Sequence, residues 1–192
     1  MTHQIIFATN NRNKLEEVQA ILPISQKLLT LQEAGITEEI VEDGTTLEEN
    51  ALIKARYVYK KTGKNCFADD TGLEVDALDG APGVYSARFA SAGHDFEANK
   101  KLLLEKLLGV ENRKARFRTV IALIMDGQEY LFEGIINGTI TCEEHGEGGF
   151  GYDPLFRPEG FDKTFAQMTA EQKNGISHRG RAVSKLVDFL NR

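Results

Sequence analysis

Two long runs of β-type residues, Ala115 to Met125 and Gln128 to Ile140, are separated only by Asp126-Gly127. An Asp-Gly pair suits the positive-φ positions of a tight turn, so the two runs are expected to form a hairpin. The N-terminal third has a different rhythm. Strand-like runs at Gln4 to Thr9, Lys27 to Leu31 and Asn65 to Ala68 alternate with helical patterns at Asn13 to Leu22 and Thr46 to Lys61. Together these predict a mixed α/β fold with the hairpin as an outlying lobe or a dimer surface. Leu47, Ala51, Leu52, Ala55, Val58 and Tyr59 make one apolar stripe along the second helix. Further helices are expected at Asp95 to Leu108, near Ala170 to Asn174, and at His178 to Leu190.

The 192 residues suffice for one α/β domain or for two small lobes around a cleft, and no repeat or linker divides them. The whole chain, 1–192, is therefore read as a single domain. A net charge of −6 argues against a nucleic-acid polymer as partner, whereas a small phosphorylated ligand needs only a few local cations. The dense basic run Arg113-Lys114-Ala115-Arg116-Phe117-Arg118 alternates as a strand with one solvated face does. Cys66 and Cys142 stand far apart and form no metal or redox motif, so Cys66 is expected as a buried reduced thiol. No charged-then-apolar leader and no membrane-length apolar run occurs, and a cytoplasmic protein is expected.

Chemistry concentrates first at Cys66-Phe67-Ala68-Asp69-Asp70-Thr71-Gly72. An apolar run leading into two adjacent acids reads as a buried strand that delivers carboxylates to its end, with a Thr-Gly turn following. Adjacent acids stay ionised only beside cations or strong donors, and such a pair suits Mg²⁺ shared with substrate phosphates. The alternative is a plain Asp-Thr-Gly turn in which Asp70 bonds nearby backbone.

Other segments bear on the choice. Thr9-Asn10-Asn11-Arg12-Asn13-Lys14 enters a helix, where free N–H groups favour an anion, and Lys14 opposes the dipole there. Asn-rich turns also serve as helix caps. Lys54 has no carboxylate four residues away, and it reads either as a snorkelling surface lysine or as a site cation. In Gly149-Phe150-Gly151-Tyr152-Asp153-Pro154, glycines bracket an aromatic that can stack on a flat ligand. Ser177, a potential N-cap, precedes His178, Arg179 and Arg181, which load positive charge at a helix start, with Lys173 nearby.

In this order the segments resemble the inosine/xanthosine triphosphate pyrophosphatase family. The resemblance rests on Phe7 to Lys14, Glu42-Asp43-Gly44-Thr45 through Lys54-Ala55, and Ala68 to Leu73. It continues through Gly80 to Arg88, Gly149 to Pro154 and Ser177 to Gly180, and so spans nearly the whole chain. Thr71 stands where serine is common, and Glu144-His145 where proline and arginine are. The resemblance implies two lobes around a long mixed central sheet with flanking helices, a cleft between the lobes, and a homodimer. It also implies hydrolysis of non-standard purine nucleoside triphosphates (those of inosine, deoxyinosine and xanthosine) to monophosphate and pyrophosphate with Mg²⁺.

Carried onto this chain, Asp70 becomes the catalytic base, and Glu42, Asp69 and Asp70 the metal ligands. Thr9, Asn10, Asn11, Arg12, Asn13, Lys14 and Lys54 would grip the triphosphate, and Thr71 would orient it. Phe150, with Gly151, Tyr152 and Asp153, would receive the base. Lys173, His178 and Arg179 would donate to its six-position oxygen. Three rival readings are a house-cleaning pyrophosphatase for other modified nucleotides, a nucleotide sensor without turnover, and a terminal phosphatase, which differs in product and not in motif.

Overall fold

The computed structural model describes residues 3–192. Among these, seven strands form one mixed sheet in the order β2-β1-β3-β5-β6-β7, with β4 paired to β3. The first elements are β1 (His3–Phe7), α1 (Arg12–Ile21), β2 (Gln26–Leu29), α2 (Leu47–Thr62), β3 (Cys66–Val75) and β4 (Pro82–Gly83). They are followed by α3 (Phe96–Lys106), β5 (Lys114–Met125), β6 (Gln128–Ile140), β7 (Phe156–Pro158), α4 (Ala170–Ile176) and α5 (His178–Leu190). No described helix is long and apolar enough to cross a membrane.

β1 runs parallel to both β2 and β3, as strand-helix-strand connections require. The hairpin turn forms as expected, with Asp126 at φ 50° and Gly127 at φ 81°. Its position in the sheet is not the expected one. β5 lies between β3 and β6, inside the sheet, and Val120 to Ile124 are all buried. Five consecutive buried apolar residues need cover on both faces, which an outlying ribbon would lack.

The described residues divide into two compact units, one of residues 3–70, 119–134 and 179–192, the other of 71–118 and 135–178. Each has its own apolar core. In the first, Ile5, Phe7, Val18, Phe67, Ile121, Leu123, Val183 and Leu186 pack together, and the Phe7 and Phe67 rings stack at 4.6 Å. In the second, Leu73, Leu103, Leu107, Phe117, Ile136, Leu155, Phe156 and Phe165 do so. The basic run of β5 alternates as its sequence foretold, with Ala115 and Phe117 buried and Lys114 and Arg116 exposed. Both cysteines are free thiols, Cys66 buried and Cys142 exposed.

The largest departure is at β3. No turn follows Asp70; the strand continues through Thr71 and Gly72 to Val75. A partner distant in sequence keeps it extended. Leu73 and Glu74 pair with Gly83 and Pro82 of β4, and the Leu73 N–H donates to the Ser86 hydroxyl at 2.8 Å. Ser86 in turn donates to the Gly83 carbonyl at 2.6 Å. Gly72 allows this approach, since a Cβ there would lie 2.5 Å from the Gly83 carbonyl oxygen and 2.9 Å from its carbon. Both obstacles are backbone atoms, so Gly72→Ala should destabilise the protein by about 2 kcal/mol. Urea unfolding would show a lowered midpoint; an unchanged one would mean that β4 withdraws freely.

Candidate functional site

Side chains alternate across a strand, so adjacent residues of β3 face opposite ways. Phe67 and Asp69 share the face buried against the first unit's core, and Asp69 is 1 % exposed. Asp70 points to the other face and is half-buried. The two neighbouring acids thus have different surroundings.

Asp69 is held by cations at both oxygens. Lys14 Nζ donates to Oδ1 at 3.0 Å and Arg179 Nε to Oδ2 at 3.0 Å. Arg179, 1 % exposed, also pairs through Nη1 with Glu17 at 2.5 Å. Burial would raise the Asp69 carboxyl, but Lys14, Arg179 and Lys54 outweigh it and hold it well below the usual carboxylate range. For Asp70 the balance reverses. Burial, helped by the Glu42 and Asp69 charges, raises its carboxyl above the ordinary value against the pull of Lys54 and Lys14.

The cations come from three helices. Asn11 caps α1, its side chain accepting from the Lys14 N–H at 3.2 Å, while the Thr9 hydroxyl accepts from the Asn11 N–H. Burial and the charges of Lys54 and Arg179 bring the Lys14 ammonium below its ordinary value despite Asp69. Lys54 of α2 is not a surface lysine. It is buried, donates to the Asp69 carbonyl at 2.6 Å and pairs with Glu42 at 2.7 Å. Burial opposes its charge, yet Asp70, Glu42 and Asp69 hold it above its ordinary value. The Glu42 segment is fixed by the same helix, since buried Asn50 accepts from the Gly44 N–H at 2.8 Å. A side chain at Gly44 would meet that amide oxygen at 2.6 Å.

The expected phosphate turn is only partly drawn in. Lys14 joins the cluster and Thr9 braces the turn through the Asn11 N–H, whereas Asn10, Arg12 and Asn13 are exposed and Arg12 pairs with Glu16 along α1. Sequence reasoning passed over Glu17, which pairs with Arg179. Its signal was its place three residues after Lys14, on the same face of α1.

In the second unit, Phe150, Asp153 and Lys173 come together. Lys173 Nζ, buried, donates to Asp153 Oδ2 at 2.6 Å and lies 4.9 Å from the Phe150 ring centre. The same Asp153 oxygen accepts from the Phe150 N–H at 3.0 Å. Gly149 sits at φ +68°, and a side chain there would run into the Asp153 carboxylate. Gly151 is likewise left-handed, at φ +62°. His178 stacks on Phe117, centroids 4.6 Å apart and planes 15° from parallel. Tyr152 has a structural task, its buried hydroxyl donating to the Ser86 carbonyl at 2.7 Å. Thr71 is half-buried on β3.

For a divalent metal, the donors that fit are Glu42 and Asp70. Asp69, expected as a third ligand, already has an ammonium and a guanidinium on its two oxygens. Among the described residues no group of three or more His, Cys, Asp or Glu is gathered as a metal cage. Mg²⁺ does not require one, because it takes one or two carboxylates and completes its shell with water and phosphate oxygens.

Known proteins share both the sequence and the fold. The model of the Ham1 family matches residues 5–189. The dITP/XTP pyrophosphatase of Porphyromonas gingivalis is 55% identical over 188 residues, 97% of each chain. That of Flavobacterium johnsoniae is 51% identical over 187 residues, again 97% of each. The solved structure of the Staphylococcus aureus Ham1 protein superposes with a TM-score of 0.89 at 41% identity, over 98% of both chains.

Removing the Asp69 charge would leave half-buried Lys14 and buried Arg179 without it. Asp69→Asn should therefore cost about 3–5 kcal/mol at pH 7. The native carboxyl titrates below its unfolded value, so its stabilisation is whole above about pH 4 and fades as the pH falls further. The difference in unfolding free energy between wild type and variant should narrow below that pH. A gap that stays constant from neutral to acid solution would mean that shape, and not charge, makes the contribution.

Proposed function

The chain belongs to the Ham1 family, and on that premise we propose that it hydrolyses non-standard purine nucleoside triphosphates to the monophosphate and pyrophosphate. The observation that carries this reading is the split of two neighbouring aspartates, Asp69 clamped between Lys14 and Arg179 and Asp70 turned to the opposite, half-buried face. Divergent environments of this kind mark the division between a fixed electrostatic group and a proton acceptor.

Lys14 and Lys54, with the N-terminal amides of α1, bind the triphosphate, and Thr71 orients it next to Asp70 in the chain. Asp70 takes the proton of the water that attacks the α-phosphorus in line, and pyrophosphate leaves. Glu42 and Asp70 would hold Mg²⁺, which neutralises phosphate charge and acidifies water when bound. Asp69 stays ionised and keeps Lys14 and Arg179 aimed.

Phe150 stacks on the purine. Lys173, His178 and Arg179 donate to the six-position oxygen, Arg179 from a guanidinium already oriented by Asp69 and Glu17. Adenine offers an amino group at that position and leaves those donors unmatched, which can reject it by roughly 10⁴-fold. A homodimer working in the cytoplasm completes the proposal, on the strength of the family pattern.

Incubation with Mg²⁺ and inosine triphosphate, with ATP and GTP in parallel, tests the reaction. Monophosphate and pyrophosphate should form from inosine triphosphate, with little from the other two. Diphosphate and orthophosphate would place the attack at the terminal phosphorus, and tight binding without products would make the protein a sensor. Asp70→Asn should lower kcat by about 10³-fold or more while nucleotide binding persists. Wild-type rates in that variant would remove Asp70 from the chemistry.

A further inference from the structure

The segment from Glu144 to Pro154 that carries Phe150 closes on itself, with the His145 N–H donating to the Pro154 carbonyl at 2.9 Å. Besides the Asp153–Lys173 pair, it is anchored along residues 164–166. The Thr164 hydroxyl donates to the His145 carbonyl at 2.6 Å, and the Gly148 N–H to the Ala166 carbonyl at 3.0 Å. Gly146, at φ +89°, lies so close that a Cβ would meet the Ala166 and Gln167 backbone at 2.5 to 2.7 Å.

A separate attachment comes from α3. Phe96, its first residue, has its ring 6.3 Å from that of Phe150 and tilted by 49°. Four residues on, and so on the same face of the helix, stands Lys100. It is 7 % exposed, and its ammonium pairs with the Glu144 carboxylate and with Glu97 at 2.7 Å. Lysine is almost never buried to this degree without a partner that justifies it. Glu97 is largely exposed and lies on the same helix, so it cannot tie α3 to anything else. Glu144 can, because it begins the loop.

We propose that Lys100 is a positioning residue for base recognition: α3 grips the loop at two places, Lys100 on Glu144 and Phe96 on Phe150, and so sets where the Phe150 ring meets a purine. Lys100 touches no substrate and acts through Glu144. The inference rests on the reading in which Phe150 stacks on the base.

Lys100→Met should raise KM for inosine triphosphate about tenfold with kcat within about twofold, since a displaced loop weakens base binding and leaves the acids in place. Inhibition by inosine monophosphate should weaken in step, while inhibition by pyrophosphate, which has no base, stays as it is. Lys100→Arg keeps the charge and should restore most of the KM. Glu144→Gln alters only the exposed partner and should move KM the same way, so the test survives if Lys100→Met folds poorly. An unchanged KM in Glu144→Gln, or pyrophosphate inhibition weakened as much as that by inosine monophosphate, would overturn the proposal. Wild-type turnover of inosine triphosphate separates the levels. Its absence removes this inference together with the parent reading, whereas an active wild type with insensitive variants removes this inference alone.

Discussion

The pleat of β3 sets the chemistry of this protein. Because successive side chains leave a strand on opposite faces, Asp69 and Asp70 are neighbours in sequence without sharing an environment. Phe67, stacked on Phe7, fixes which face turns inward, and Asp69 follows it two residues later. A slip of one residue would exchange the two acids, bringing Asp70 to Lys14 and Arg179. The register of an apolar pair therefore selects which carboxyl stays ionised and which rises.

Two helices that begin with cations also become intelligible. A lysine in the first turn of α1 and an arginine in the first turn of α5 both oppose the helix dipole, an arrangement that costs a few tenths to about 1 kcal/mol each. The Asp69 carboxylate offsets this, as it lies against Lys14 and Arg179 at once. Glu17 adds a second acceptor for Arg179, so the guanidinium is oriented from two directions. The cluster alternates sign, Glu17, Arg179, Asp69 and Lys14 in turn, which is how several charges can leave water together.

The elements visible in the sequence were those with local causes. The Asp126-Gly127 hairpin, the apolar stripe of α2, the alternation of β5 and the bounds of α5 all follow from residues within a few positions of one another. The course of β3 past Asp70 does not, because Thr71-Gly72 looks like a turn until Gly83 and Ser86, distant in sequence, arrive to extend it. Lys54 is the same lesson for a side chain. Its partners, Glu42 and the Asp69 carbonyl, lie outside its helix, so no i±4 rule could reveal them. The aspartates and the lysines were legible as residue types in a pattern. What each one touches depended on contacts between segments remote along the chain, and the cations that Asp69 meets, Lys14 and Arg179, are of that kind.

The two cysteines divide in a way that has a practical side. Cys66 opens the strand of the acids, is buried, donates to the Ala55 carbonyl at 3.3 Å, and burial pushes its thiol up to about 12. Almost none of it is thiolate near neutral pH, and the thiolate is the form that attacks an electrophile. Cys142 is exposed and stands two residues before Glu144. The native protein thus accepts a maleimide dye at one position without mutagenesis, and that dye sits at the root of the aromatic loop, where its emission can follow the loop in real time.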